Sequence, residues 1–211
     1  MKAVGTASCP VDAAQEVKNE CSYVSQYNSG EGAVRDILNH LETASQSALG
    51  VIPARYGSAR MPGKPLVEIA GKPMIQHVYE RASDANLLDD LIVATDDERI
   101  VEAVEAVGGT AMMTDVDHPT GTDRVAEVAA NVGADFTINI QGDEPLIDPD
   151  VIDAIVTALR ENAPKVATPI SPIEDESLLD DENTVKVVTD TARKALYFSR
   201  SKIPSGGETG T

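Results

Sequence analysis

From Ala48 onward, short apolar runs alternate with stretches whose apolar residues recur at helical spacing, and this alternation commits the chain to an α/β fold. A mainly parallel sheet with helices on both faces is expected. Strands are predicted at 49–53, 91–94, 110–113, 136–140, 166–170, 185–188 and 196–198. Helices are marked by Met74, Ile75, Val78, Tyr79 and Ala82, by Ile100, Val104 and Val107, and by Val125, Val128, Ala129 and Val132. A fourth begins at Asp148-Pro149, a side-chain cap with proline at the first helical position. The last two strands, joined by the turn Asp190-Thr-Ala-Arg193, read as a hairpin or a mixed edge of the sheet.

In an open α/β sheet, ligands sit beyond the carboxyl ends of the strands, and the polar clusters of this chain follow its predicted strands there. After the first strand, Gly57, Ser58 and Gly63 offer close backbone N–H groups, while Arg55, Arg60 and Lys64 offer fixed cations. That combination suits a polyphosphate; a basic surface loop is the plainer alternative. The pattern matches neither G-x-x-x-x-G-K-[ST] nor G-x-G-x-x-G, so it predicts neither a Walker ATPase nor a dehydrogenase. Gln141-Gly-Asp-Glu-Pro145 follows another strand and brings Asp143 forward as a Mg²⁺ ligand, or as an ordinary turn aspartate. Thr120-Gly-Thr-Asp-Arg124 opens a helix whose N–H groups, with Thr122 and Arg124, can face a nucleotide; simple capping by Thr120 or Thr122 is the competing reading. Asp96 and Asp97 read as helix caps, and His40, His77 and His118 as structural. Arg200 is either a contact for an anionic substrate or an exposed solubilising side chain.

The chain has 211 residues, enough for one catalytic domain, and carries 35 acidic against 17 basic side chains. Its net charge of −18 argues against nucleic acid or an anionic membrane as partner. Adaptation to high salt is one expectation of that charge, which a thermal stability flat from low to molar salt would remove. No apolar run reaches the roughly 18 residues of a membrane span, and Met1-Lys2 leads into no signal-peptide core, so a cytoplasmic protein is expected. Cys9 and Cys21 lack companions at zinc-ligand spacing and are expected as free thiols. Residues 1–47 read as an extension, disordered except for one amphipathic helix over 31–44 carrying Val34, Ile37, Leu38 and Leu41.

Taken together, Ile52-Pro-Ala-Arg-Tyr-Gly-Ser-Ala-Arg-Met-Pro-Gly-Lys-Pro65, Gly71-Lys-Pro-Met74, Val93-Ala-Thr-Asp96, Thr120-Gly-Thr-Asp-Arg124, Gln141-Gly-Asp-Glu-Pro145, Val185-Lys-Val-Val188 and Ala195-Leu-Tyr-Phe-Ser-Arg200 closely resemble the 3-deoxy-manno-octulosonate (Kdo) cytidylyltransferase family, over about residues 49–204. The resemblance implies a doubly wound, Rossmann-like nucleotidyltransferase fold. It also implies a homodimer that transfers CMP from CTP to Kdo with Mg²⁺, releasing pyrophosphate, for lipopolysaccharide synthesis. It places Arg55, Ser58 and Lys64 on the triphosphate, Thr122 and Arg124 on the nucleotide, Asp143 on the metal and Gln141 on the sugar side, with Gly57, Arg60 and Arg200 as further expected substrate-binding residues. Arg55, Lys64 and Asp143 are the expected catalytic group.

The family continues past the segment matching Ile203-Pro204 into a further strand, an acidic helix and a late aspartate that is a second metal ligand. Residues 48–204 are therefore expected to form a cytidylyltransferase domain incomplete at its C-terminus, with 205–211 a flexible tail. Two other readings stay open: a catalytically impaired nucleotide-binding homologue, and a cytidylyltransferase for another acid sugar such as sialic acid.

Overall fold

The heptapeptide Ala-Leu-Gly-Val-Ile-Pro-Ala at 48–54 is buried along nearly its whole length, which only a strand covered on both faces and paired on both edges can achieve. In the computed structural model, which describes residues 6–44, 46–57, 61–162 and 164–203, that strand is the centre of the fold. The chain divides into two compact units, Met1–Thr168 and Pro169–Thr211.

The first unit opens with strand β1 (Ser8–Cys9), helix α1 (Gln15–Lys18), strand β2 (Tyr23–Val24) and helix α2 (Ala33–Ala44). Strand β3 (Ala48–Ala54) follows, then a short hairpin of β4 (Glu68–Ile69) and β5 (Lys72–Pro73), and helix α3 (Met74–Ser83). Strand β6 (Asp90–Thr95), helix α4 (Glu98–Glu105), strand β7 (Thr110–Met113), helix α5 (Gly121–Val132), strand β8 (Phe136–Asn139) and helix α6 (Pro149–Asn162) complete it. The four long strands form one parallel sheet in the order β7-β6-β3-β8.

Alternation along the strands sorts the core onto two faces. Ala48, Ile52 and Ala54 of β3 and Val93 of β6 join Ile75, Val78, Ile100, Val104, Ile152 and Val156 from α3, α4 and α6. Leu49, Val51, Ile92 and Ala94 turn the other way, onto Val125 and Val128 of α5. Each such fully buried Val, Ile or Leu contributes about 1.5–3 kcal/mol. Gly50 fits this packing because a Cβ there would come within 2.8 Å of the Leu88 and Leu91 methyls.

The helix starts are set by side chains. Asp97 accepts the Arg99 N–H, Asp148 accepts the Asp150 N–H, and Thr120 with Asp123 closes a reciprocal capping box on α5. α5 ends on Gly133 in the left-handed conformation (φ 78°).

Near the N-terminus, β1 and β2 pair in parallel, and Tyr23 stacks on His40 of α2 with ring centroids 3.7 Å apart. The Tyr23 and Ser25 hydroxyls both donate to Asp36. α2 lies where helical spacing predicts it, but Ala33 is buried while Val34 and Leu38 face outward, 72% and 54% exposed.

The second unit holds an antiparallel pair, β9 (Lys186–Thr189) and β10 (Ala195–Ser199), as a two-stranded sheet of its own; of the two expected alternatives the hairpin is found. Asp190 shapes its turn by accepting the Ala192 and Lys194 N–H groups. Lys186 is buried and donates to the carbonyls of Asp181, Thr184 and Arg200.

One expected strand is absent: residues 166–170 have no ladder, Val166 and Ile170 are 82% and 56% exposed, and Pro169 has no N–H to contribute to one. Among the described residues no helix is long and apolar enough to cross a membrane.

Candidate active site

The carboxyl ends of the neighbouring strands β3 and β8 create the site. β3 ends at Ala54 and delivers Arg55, while the chain leaving β8 delivers Gln141, Gly142 and Asp143 beside it. A cleft of about 300 Å³ opens there, walled also by Lys64 and Pro65, Met74 at the start of α3, His118, and Thr120, Gly121 and Arg124 at the start of α5. Gly142 is required by close approach: a Cβ at this position would lie 2.6 Å from the Pro53 carbonyl oxygen.

Lys64 opens a short 3₁₀ turn after Gly63, whose φ of 71° suits glycine, and the Gly63 N–H donates to the Tyr56 carbonyl at 2.8 Å. The loop therefore leaves and re-enters at a closed neck, with Arg55 just before it and Lys64 just after it. Lys64 Nζ donates to Asp143 Oδ2 at 2.6 Å, both side chains being about half exposed.

Arg124 is different. Its guanidinium is 2% exposed and donates to Thr114 Oγ1 and, at 2.9 Å, to Asp96 Oδ2. The other Asp96 oxygen accepts the Tyr56 N–H at 3.1 Å. Arg124 thus fixes one wall of the cleft by joining α5, the end of β6 and the loop after β3.

Electrostatically the cleft suits an anion. Among the described residues Arg55 makes no ion pair, and the amino end of α5 adds its dipole. His118 Nε2 pairs with Glu127 Oε2 at 2.5 Å, and the same oxygen accepts the Asp115 N–H. That backbone N–H first, and His118 second, hold the Glu127 carboxyl below the ordinary glutamate range.

Asp143 is the only carboxylate on the wall among the described residues, and no cluster of three or more metal-ligating side chains occurs among them. One carboxylate is nevertheless a donor set that fits Mg²⁺, which usually completes its octahedron with phosphate and water.

Of the residues singled out in the sequence, Arg55, Lys64, Arg124, Gln141 and Asp143 converge on this cleft. Gly57 and Thr122 are exposed and not on its wall. Ser58 and Arg60 lie outside the described residues. Arg200 belongs to the second unit, where its guanidinium donates to the Glu182 carbonyl at 2.9 Å. Asp97 is a cap, as its sequence position suggests; Asp96 instead holds Arg124 and Tyr56. His118 was not expected on the wall. The available signal was its place between the end of a strand and the Thr120 cap, on the side of the sheet where ligands collect.

A family model described as cytidylyltransferase matches residues 49–209 of this chain. A 3-deoxy-manno-octulosonate cytidylyltransferase of Geobacter metallireducens is 54% identical over 156 residues, covering 74% of this chain and 61% of the relative. An 8-amino-3,8-dideoxy-manno-octulosonate cytidylyltransferase of Shewanella pealeana is also 54% identical, over 75% of this chain and 67% of its own length. The solved structure of a CMP:2-keto-3-deoxy-manno-octonic acid synthetase complexed with CTP aligns with a TM-score of 0.69 at 49% identity, covering 76% of this chain and 67% of that one. The chain spans about three fifths of the length of the Geobacter relatives it matches.

Proposed function

Since this chain belongs to the cytidylyltransferase family, we propose that its cleft binds CTP with Mg²⁺ and supports transfer of CMP to 3-deoxy-manno-octulosonate, releasing pyrophosphate. The observation that carries this reading is the meeting of Arg55, Lys64 and Asp143 at the carboxyl ends of β3 and β8, beside the amino end of α5.

In this reading Arg55 and Lys64 take the charge of the triphosphate, with Ser58 and Arg60 of the same loop and the Gly57 N–H as further contacts. Asp143 would hold Mg²⁺, which when bound neutralises negative charge developing on the pyrophosphate. Gly142 keeps the backbone low so that the ligand can reach Asp143. The start of α5, through Thr120, Gly121 and Thr122, faces the nucleotide, and Arg124 holds that wall in place.

The anomeric hydroxyl oxygen of the sugar attacks the α-phosphorus, the bond to the β-phosphate oxygen breaks, and the hydroxyl proton passes to solvent. No covalent enzyme intermediate is required; the residues position the reactants and balance charge. Gln141 is assigned to the sugar acid. A cytoplasmic location and a homodimeric assembly belong to the same proposal.

The Shewanella relative, equally similar, is named for an 8-amino sugar, so both sugars belong in the substrate panel. Replacing Asp143 by asparagine tests the metal role. Turnover should fall on the order of a hundredfold or more, while metal-free CTP binding measured by calorimetry is retained. Unchanged metal-dependent turnover would refute the assignment.

A further inference from the structure

We propose that Arg99 is a positioning residue that fixes Tyr56 and, through it, the two cleft cations Arg55 and Lys64; the link to the cleft rests on the reading that these cations hold a nucleoside triphosphate. Arg99 lies in the first turn of α4 and does not line the cleft. Its Nε and Nη2 donate to the two oxygens of Asp97 at 2.8 and 2.7 Å, and its backbone N–H donates to the same carboxylate. Tied at both prongs, the guanidinium sits over the Tyr56 ring, with Cζ 3.5 Å from the ring centroid. The Arg99 bonds hold the Asp97 carboxyl below its ordinary range, which keeps it ionised for this task.

Tyr56 is where the loop is closed. Its N–H donates to Asp96, its carbonyl accepts the Gly63 N–H, and its ring edge packs so tightly on Gly63 that a Cβ there would meet Cε2 at 3.0 Å. The consecutive aspartates thus hold one residue at two points: Asp96 grips its main chain, and Asp97 grips its ring by way of Arg99. Arg55 precedes Tyr56 and Lys64 follows Gly63, so the ring's position sets the separation of both cations.

The test compares amide hydrogen exchange and CTP titration in the full chain for wild type, Arg99→Ala, Arg99→Lys and Tyr56→Leu. Arg99→Ala should speed exchange at the Gly63 amide about two- to fivefold and weaken CTP binding by a similar factor, leaving the Val51 and Ile52 amides protected. Arg99→Lys should recover part of both effects, and Tyr56→Leu should reproduce the loss without adding to it in the double variant. If Arg99→Ala loosened the whole core, Tyr56→Leu would carry the same comparison. Unchanged Gly63 exchange in the variants would overturn the clamp, and faster Gly63 exchange with unchanged CTP affinity would overturn its link to the cleft. Failure of the wild type to bind CTP would instead count against the proposed function, since the exchange result judges the clamp without nucleotide.

Discussion

Lys64 Nζ stands 2.6 Å from Asp143 Oδ2, so the cation proposed for phosphate and the carboxylate proposed for the metal are each other's partners in the cleft. With both side chains about half exposed, the pair is worth no more than about 1 kcal/mol, little enough for an incoming metal–nucleotide to separate it. Under the proposed function, arrival of a triphosphate would draw Lys64 one way and free Asp143 the other way, so that metal and nucleotide binding would be coupled through this pair.

Lys64→Ala should therefore bind Mn²⁺ more tightly than wild type when no nucleotide is present, by up to about fivefold, and bind CTP more weakly. Mn²⁺ electron paramagnetic resonance reads the first effect and calorimetry the second. Equal Mn²⁺ affinity in the two proteins would mean that Lys64 does not compete for Asp143.

Gly142→Ala puts a methyl group against main chain, which cannot swing aside as a side chain would. The β8 exit loop must shift away from Pro53, at a cost of about 1–3 kcal/mol. A lowered urea midpoint together with weaker metal-dependent CTP binding is expected. Wild-type behaviour in both would show that the close approach is dispensable.

Much of this was legible in the sequence, for physical reasons that also explain the rest. β3 and β6 were visible because strands buried on two faces need nearly unbroken apolar runs, β7 and β8 because short apolar runs recur between helical patterns, and the starts of α5 and α6 because Thr120 and Asp148 carry capping chemistry. The run at 166–170 has the same apolar look, but burial comes from partners, and Val166 and Ile170 stay exposed. Two-residue strands such as 8–9 and 23–24 are too short to leave a periodic trace.

At the site, Arg55 and Lys64 stood out as cations of a glycine-containing loop after a strand, and Gln141 and Asp143 as polar residues on either side of Gly142 after another. The roles of Asp96, Arg99 and Tyr56 did not, because they arise only when β3 and β6 pair side by side and bring distant residues together. Arg124 reads in sequence as a ligand for a nucleotide, yet burial ties its charge to Asp96, a cost that no local pattern displays.

Glu127 gives a pH dependence with a definite sign. Its pKa is lowered in the folded chain, so the stabilisation it provides is fully present above the ordinary glutamate value of about 4.3 and is lost as pH falls through the lowered value. The stability difference between wild type and Glu127→Gln should shrink from about pH 5 to about pH 3 in urea titrations. A difference that stayed constant or grew over that range would mean that the carboxylate is not held by Asp115 and His118.

The most direct test of the account is pyrophosphate release by the purified chain with CTP, Mg²⁺ and 3-deoxy-manno-octulosonate, with omission of the sugar as control. The account predicts release that depends on both sugar and metal. No sugar-dependent release from protein that demonstrably binds CTP would contradict it.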